Sequence, residues 1–219
     1  TSVYTSGLSP NTDYDAYVRS DCGDGDSSGW SSPVSFTTLC DVFSVYPPFY
    51  ENFDSSTTGD TNNFNAPDCW SFIVEGNGYA YVYDNISDNV QSGTNSYRLA
   101  YMYDAQPDGI DYMLISPEIA ELTTEGIQVS FSVKGLPNKE LDIGTMSDPN
   151  DASTFTLLKT EILSTYNFED ITIEIPASTD SFFAVRHGKT SFALDYYLDD
   201  FSFNPILSCL TPYNLAVSN

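Results

Sequence analysis

Positively charged residues are scarce in this sequence of 219 residues. There are 7 Lys and Arg against 31 Asp and Glu, which gives a formal net charge of -24 at pH 7. A nucleic-acid-binding surface needs clustered cations to displace counterions from phosphates, and a polybasic membrane-binding surface needs them to attract anionic lipids. The composition therefore excludes nucleic acid and the membrane surface as partners.

Long apolar runs, zinc-binding motifs and helical periodicity are also missing. No run of 18 apolar residues is present, so we expect no membrane insertion. With one His and no CxxC pair, nothing indicates a zinc site. Only residues 148–158 have a pattern that would allow a turn of helix. The sequence has no starting Met and no signal-peptide pattern, and we interpret it as a piece of a longer protein.

The residues that are abundant are typical of a folded β protein. Aromatic residues make up 15% of the chain, with 16 Tyr and 14 Phe, which a disordered acidic tail would lack. Short runs of alternating apolar and polar residues recur between Gly, Pro, Asn and Asp, for example at 79–83, 127–133 and 171–175. This pattern predicts an all-β sandwich.

The first segment contains the run Leu8-Ser-Pro-Asn-Thr-Asp-Tyr14. This run resembles the tyrosine corner of fibronectin type III domains, in which a Tyr hydroxyl bonds to nearby backbone, and residues 1–39 resemble the second half of such a domain. The tail at 207–219 resembles the first strand of a following domain of the same kind. We therefore predict a partial fibronectin type III (Ig-like) sandwich at 1–39 and the start of another such domain at 207–219.

A series of motifs follows in order over about 47–205. They are Glu51–Asp54, Pro67–Trp70, Asp111–Glu118, Val129–Val133, Asp148–Phe155, Phe183–His187 and Tyr197–Phe201. With these motifs, residues 40–206 resemble the cleaved-adhesin modules of gingipain haemagglutinin regions and, more loosely, MAM domains. The family implies a jelly-roll β-sandwich with a structural calcium ion and an adhesive, non-catalytic role. Its alternation with fibronectin type III domains is typical of bacterial surface proteins exported by type IX secretion, so we expect a secreted, cell-surface protein.

The resemblance also implies a calcium site built from acids that are far apart in the sequence. The family's entry acid maps to Asp54, its acid before a central strand to Asp111, and its late acid to Asp199 or Asp200. Asp54 replaces the usual Glu and is one methylene shorter, so Glu51 is a further candidate. Acids that adjacent first and last strands bring together repel each other, and Ca2+ prefers oxygen ligands. The alternative is that these acids are solvated or cap turns.

Two sets of tyrosines are candidates for ligand contact. Tyr79, Tyr81 and Tyr83 share one face of a predicted strand, and Tyr101 and Tyr103 share another. Aromatic faces stack against sugar rings, so a glycan is one expected partner. A host, matrix or surface protein and neighbouring modules of the same chain are the others. The alternative is that these rings stabilise the core or a ladder of cross-strand pairs.

The four cysteines predict one disulfide. In the fibronectin-like part, Cys22 and Cys40 end neighbouring antiparallel strands at opposite ends of the sheet, too far apart to bond. Cys209 stands at a similar junction in the tail, and we expect Cys22 and Cys209 to pair with cysteines outside this sequence. Cys40 and Cys69 then form the pair inside the middle module. Four free thiols are the alternative.

Catalytic motifs are not evident. There is no G-x-S-x-G sequence, and His187, next to Arg186 in a predicted strand, is expected to be structural. Adjacent strand acids such as Asp199 and Asp200 point to opposite faces unless a bulge intervenes, so they would not flank one glycosidic bond. We predict a non-catalytic adhesion or binding module. A carbohydrate-binding module of a polysaccharide-degrading enzyme and a structural spacer repeat of a surface filament are the alternatives.

Overall fold

The structure, a computed structural model, describes residues 5–84, 88–101, 111–187 and 194–206. The chain divides into two compact units, Thr1–Val42 and Phe43–Asn219. This division lies close to the predicted module boundary between residues 39 and 40. Within the described ranges, no helix has the length and apolar character needed to cross a membrane.

The first unit is built from four short strands. They are β1 (Asp13–Ala16), β2 (Asp21–Gly23), β3 (Asp26–Ser27) and β4 (Val34–Thr37); β1 pairs antiparallel with β4, and β2 with β3. The Tyr14 hydroxyl accepts a hydrogen bond from the Ser9 backbone N–H at 2.9 Å. This is the tie that the tyrosine-corner motif predicts. The fibronectin type III assignment itself stays a prediction.

The second unit is a sandwich of two antiparallel sheets, which confirms the predicted all-β, jelly-roll fold. The 3-10 turns at Ala120–Thr123 and Ala152–Thr154 are its described helical elements, and the latter lies within the predicted 148–158. The strands follow in chain order as β5 (Phe49–Glu51), β6 (Ser71–Val74), β7 (Gly78–Asp84), β8 (Asn95–Tyr101), β9 (Tyr112–Ile115), β10 (Ile127–Lys134), β11 (Glu140–Met146), β12 (Thr156–Ile162), β13 (Glu169–Ile175), β14 (Phe182–His187) and β15 (Leu194–Pro205).

The closing strand β15 organises the larger sheet. The six-stranded sheet has five strands in the order β13-β10-β15-β8-β7, and its sixth strand, β5, also pairs with β15. The five-stranded sheet has the order β12-β11-β14-β9-β6. β15 pairs with β8 through 194–198 and with β5 through 201–203, and Glu51 lies opposite Phe201. The opening strand β5 of the sandwich therefore lies directly against its closing strand.

Aromatic rings fill the space between the two sheets. Phe201 is 1% exposed, and its ring stacks on Phe131 at a centroid distance of 4.8 Å. Trp70 packs edge-on against Phe201 at 5.3 Å and also contacts Phe53 and Phe203. Such offset and edge-to-face pairs stabilise the core beyond the area that they bury.

Cys40 and Cys69 are disulfide-bonded, which confirms the predicted pair. Cys69 directly precedes Trp70, so one end of this bond lies beside the aromatic core. Cys22 is exposed and is not disulfide-bonded within the described ranges. Cys209 lies outside them, and the expectation that Cys22 and Cys209 pair with outside cysteines stays a prediction.

Substitution of Phe201 by Ala tests the aromatic core. Removing a fully buried ring leaves a cavity, so we expect Phe201→Ala to lower the free energy of unfolding by about 3–5 kcal/mol. Tyr50→Ala is the matched control, because Tyr50 lies on the adjacent strand β5 and is 66% exposed. It should change stability by less than about 0.5 kcal/mol. Denaturant unfolding measures both, and equal effects would contradict this description of the core.

Candidate functional site

A row of polar and aromatic side chains crosses the outer face of the six-stranded sheet. Tyr81 on β7 lies opposite Arg98 on β8, Arg98 lies opposite Tyr197 on β15, and Tyr197 lies opposite Lys134 on β10. Residues directly opposite each other in a ladder share a face of the sheet. The row faces away from the core because each member alternates with a buried residue, namely Val82, Leu99, Leu198 and Val133.

Arg98 is the charged centre of this row. Its Nη1 donates to the Tyr81 hydroxyl at 2.6 Å, and its Nη2 donates to an Asp195 carboxylate oxygen at 3.0 Å. Burial by itself would lower the pKa of Arg98, but the charge of Asp195 and the Tyr81 hydrogen bond raise it above its usual value. The Arg98 Nε has no hydrogen-bond partner among the described residues. Arg98 and Asp195 thus form a fixed pair of donor and acceptor groups on the sheet surface.

A groove of about 460 Å³ opens beside this row. Tyr197 is partly buried in its wall, whereas Tyr166 is 68% exposed. The Lys134 ammonium donates to the Asp88 carbonyl and lies 5.9 Å from the centre of the Phe168 ring. The groove combines aromatic surface with a carboxylate and an ammonium group. Its lining consists of Asn89, Lys134, Gly135, Leu136, Tyr166, Leu194, Asp195 and Tyr197.

One wall of the groove belongs to the segment 88–95, which leads into β8. The Asn89 side of this segment lines the groove, and the Asn89 carbonyl accepts from the Ser96 hydroxyl at 2.8 Å. The other end of the segment, residues 91–95, meets the acids that the sequence predicts as metal ligands. The geometry of those acids therefore bears on the groove.

Asp54 holds the end of the segment that enters β8. Its Oδ1 accepts from the backbone N–H groups of Thr94 at 2.6 Å and Asn95 at 2.9 Å. Gly93 has a φ of 63°, and a Cβ atom at this position would lie 1.8 Å from the Asp54 Oδ2. Only glycine fits here, because it adopts left-handed backbone without strain and leaves room for the carboxylate.

Asp199 and Asp200 hold the middle of the segment. Asp199 Oδ2 accepts from the N–H groups of Gln91 at 2.8 Å and Ser92 at 3.2 Å, and Asp200 Oδ1 accepts from the Ser92 hydroxyl at 2.6 Å. Adjacent strand acids are expected to point to opposite faces unless a bulge intervenes, and here a bulge does intervene. A β-bulge in the β10–β15 ladder, with Asp200 at a left-handed φ of 53°, breaks the alternation. We call Asp54, Asp199, Asp200 and the segment 91–95 the acid clamp.

Glu51 lies at the end of β5, next to the acid clamp. Burial raises its pKa and the charges of Asp54 and Asp68 raise it further, whereas a hydrogen bond from the Phe53 N–H acts in the opposite direction. Glu51 also lines a polar cavity of about 210 Å³, together with Ser55, Ser56, Thr57, Asn65, Ala66, Pro67 and Asp68. Oxygen-bearing side chains therefore surround this carboxylate.

Asp111 is separated from the other predicted metal ligands. Its Oδ1 lies 3.6 Å from the Arg186 Nη1, and Arg186 also donates to Asp142 at 2.8 Å. These groups belong to the five-stranded sheet, whereas the other four acids belong to the six-stranded sheet or follow its strand β5. Arg186 pairs with the Asp111 carboxylate, and the Asp111 backbone N–H donates to a Glu75 carboxylate oxygen at 3.0 Å. A calcium-binding role for Asp111 stays a prediction. Among the described residues, no group of three or more His, Cys, Asp or Glu could hold a metal ion.

The predicted tyrosine sets separate into surface and core. Tyr79, Tyr81 and Tyr83 do share the outer face of β7, but Tyr81 is only 5% exposed because it packs into the row beside Arg98. Tyr101 is 3% exposed and belongs to the core, so it does not offer a ligand face. Tyr103 lies outside the described residues.

His187 is buried, as its structural interpretation requires. It is 2% exposed, its Nε2 lies 3.1 Å from the Leu194 carbonyl, and its ring packs against Tyr112 and Tyr196. Arg98, Lys134 and Asp195 are not among the residues that the sequence patterns single out, and Tyr197 appears there only as the first residue of a family motif. Their signal is weak, because it consists only of polar residues alternating with core residues in separate strands.

Comparison with known proteins supports the fold. No family model and no curated protein matches this sequence. The K1 cleaved adhesin domain of Lys-gingipain from Porphyromonas gingivalis W83 is similar, with a TM-score of 0.56 and 18% identity over 72% of this chain and 98% of that one. The K2 cleaved adhesin domain of Lys-gingipain gives 0.57 and 19%, over 72% and 99%. The chain has the fold of a cleaved adhesin domain.

The same fold occurs inside an enzyme. The arabinose-bound α-L-arabinofuranosidase MgGH51 matches with a TM-score of 0.51 and 15% identity, over 70% of this chain and 25% of that one. At these levels of identity the likeness concerns the fold alone. The groove and the acid clamp, rather than the fold, indicate the function.

The pH dependence of stability tests the surroundings of Asp199. Burial raises the pKa of this carboxyl to about 7, with the charge of Asp200 adding to the effect and the Ser92 and Gln91 hydrogen bonds opposing it. Its pKa in the unfolded chain is about 3.9, so the folded chain binds this proton more tightly. The contribution of Asp199 to the free energy of unfolding therefore falls as the pH rises from about 4 to about 7.

Thermal melting of the wild type and of Asp199→Asn in metal-free buffer, measured as a function of pH, tests this pH dependence. The amide side chain of the Asp199→Asn variant does not titrate. The melting temperature of the wild type should therefore fall, relative to that of the variant, as the pH rises from about 5 to about 7. Asp199→Asn should melt lower overall, because an amide supplies one acceptor oxygen where the carboxylate supplies two. Parallel pH profiles for the two proteins would show that the Asp199 pKa is not raised.

Proposed function

We propose that the second unit is a non-catalytic adhesion module that binds neutral glycans in the groove on the six-stranded sheet. The observation that carries this proposal is the meeting of Tyr166 and Tyr197 with Asp195 and Lys134 in one groove. We further propose that the module is part of a secreted cell-surface protein, with fibronectin type III pieces at 1–39 and 207–219.

The groove suits the two kinds of surface that a sugar ring presents. The C–H face of a pyranose packs against aromatic rings, and Tyr197 and Tyr166 supply such rings. Each sugar hydroxyl is both a donor and an acceptor, so it is matched by a carboxylate acceptor and an ammonium donor, here Asp195 and Lys134. The net charge of -24 repels anionic polysaccharides over the whole surface, which favours uncharged ones.

The fold is consistent with this proposal without deciding it. Two similar solved structures are described as adhesin domains. The third is an arabinose-bound enzyme, and the match covers a quarter of its chain. One fold hosts many functions, so these descriptions support a binding module only together with the groove.

Loss of an aromatic ring from the groove should abolish glycan recognition. On an array of neutral and acidic glycans, we expect the wild type to bind neutral structures. Tyr197→Ala and Tyr166→Ala should each weaken that binding at least about tenfold, which corresponds to about 1.4 kcal/mol. Tyr50→Ala, also an exposed tyrosine but on β5 and outside the groove, is the matched control and should bind normally.

Two results would contradict the glycan proposal. One is an array without any hit for a protein that is shown to be folded, which would favour the spacer interpretation. The other is a hit that survives both groove substitutions. Mass spectrometry of the recovered oligosaccharide should show an intact molecule, and its hydrolysis would contradict the non-catalytic part.

We also propose that Ca2+ stabilises the region where β5 meets β15. Glu51, Asp54, Asp199 and Asp200 place four carboxylates at this junction, and none of them forms an ion pair with Lys or Arg in the described part of the chain. Carboxylate and hydroxyl oxygens fit a hard cation in kind. No three of these acids lie close enough together here to hold an ion. A bound ion would therefore draw Glu51, Asp54 and Asp199 or Asp200 closer together and supply the missing positive charge.

Thermal melting in calcium and in chelator tests the metal. With Ca2+ at about 100 times its dissociation constant, the stabilisation is about 2.7 kcal/mol, which raises the melting temperature by about 5–10 °C. Asp54→Asn should abolish most of this shift. Asp111→Asn is the matched control, because Asp111 contacts Arg186 on the other sheet, and it should keep the full shift. Identical wild-type melting curves in EDTA and in calcium, with no co-purifying metal, would overturn the proposal.

A further inference from the structure

Strand β12 is an exposed edge of the five-stranded sheet. It pairs with β11 on one side, and no strand in the described ranges pairs with its other side. Its burial pattern is exposed at six of seven positions, and Leu158 and Ile162 are 41% and 61% exposed. A strand edge of this kind presents unpaired N–H and C=O groups, and it serves as a template for another strand.

The sequence of β12 is complementary to itself in the antiparallel direction. The five residues Leu158-Lys159-Thr160-Glu161-Ile162 read apolar, charged, polar, charged, apolar from either end, and the two charges have opposite signs. If two copies pair antiparallel about Thr160, Lys159 of one copy lies opposite Glu161 of the other. Leu158, which a bulge in the β11–β12 ladder leaves without a partner on β11, lies opposite Ile162 in the same arrangement. Both kinds of cross-strand pair are stabilising.

The faces of the strand are compatible with these pairs. Lys159 and Glu161 lie opposite buried residues of β11, so they share one face and already form an ion pair within the chain. Thr160 lies on the other face, where its hydroxyl donates to Asp142 at 2.7 Å. Both charged pairs of a dimer would therefore lie on one face, with Thr160 and Ile162 on the other.

We propose that two copies of this protein associate through β12, edge to edge and antiparallel, about a two-fold axis at Thr160. The five-stranded sheets of the two copies then join into one continuous sheet, and the same patch of each copy contacts the other, as a two-fold interface requires. The glycan groove lies mainly on the other sheet, and of its lining Tyr166 belongs to the connection that follows β12.

Charged residues on an edge strand often serve the opposite purpose and prevent pairing. They do so when like charges meet across the new ladder. In β12 the register about Thr160 makes opposite charges meet, so the same residues favour one specific partner. The net charge of -24 opposes association at long range, but at about 0.15 M salt the Debye length of about 8 Å screens most of this repulsion.

Charge reversal and charge exchange test the register. Sedimentation or light scattering of the full chain near physiological salt should give a mass that rises above the 24.2 kDa of the monomer as concentration increases. Lys159→Glu and Glu161→Lys each place like charges opposite each other, and each should return the mass to that of the monomer. The double variant, in which the two charges are exchanged, should associate again.

Arg19→Glu is the matched control for net charge, because it makes the same change as Lys159→Glu on an exposed residue of the first unit. It should associate like the wild type. Melting curves establish that every variant is folded. A wild type that stays at 24.2 kDa at all concentrations overturns the proposal, and so does a double variant that is folded but monomeric while the wild type associates.

Discussion

Carboxylates from the two ends of the sandwich hold the segment 91–95, and the architecture around the groove depends on these hydrogen bonds. Asp54 follows the opening strand β5, and Asp199 lies in the closing strand β15. The two strands pair with each other, so both acids reach the same segment. Residues 91–94 have no strand pairing in the described part of the chain, and the carboxyl oxygens of Asp54 and Asp199 satisfy N–H groups of this connection.

The acid clamp and the groove are parts of one construction. The segment that the acids hold is preceded by Asp88 and Asn89. The Asp88 carbonyl accepts a hydrogen bond from Lys134, and Asn89 lines the groove. In β15, Asp195 and Tyr197 precede the bulge and lie at the groove. The clamp acids Asp199 and Asp200 lie at the bulge itself. A groove wall fixed in this way loses little conformational freedom when a ligand binds, which favours affinity. A cation that neutralises Asp54, Asp199 and Asp200 would change how these acids hold the same groove wall.

Local sequence patterns predicted the elements, and tertiary pairing decided the site. Period-two alternation predicted strands within β7, β10 and β13, and the jelly-roll fold that the resemblance implies led us to expect that the first and last strands meet. The bulge at Asp200 was not predictable, because it is a mismatch between two strands rather than a property of one. The contact of Asp111 with Arg186 and the row through Arg98 and Tyr197 likewise require the register of several strands, which no single run of residues encodes.

Amide hydrogen exchange tests most directly whether the acid clamp holds this construction together. We expect slow exchange at the N–H groups of Gln91, Ser92, Thr94 and Asn95, because each donates to a carboxylate. Asp54→Asn should accelerate exchange at the latter two while the central strand β10 stays protected. Exchange at all four groups as fast as in an unstructured peptide, in a protein whose β10 is protected, would contradict the account.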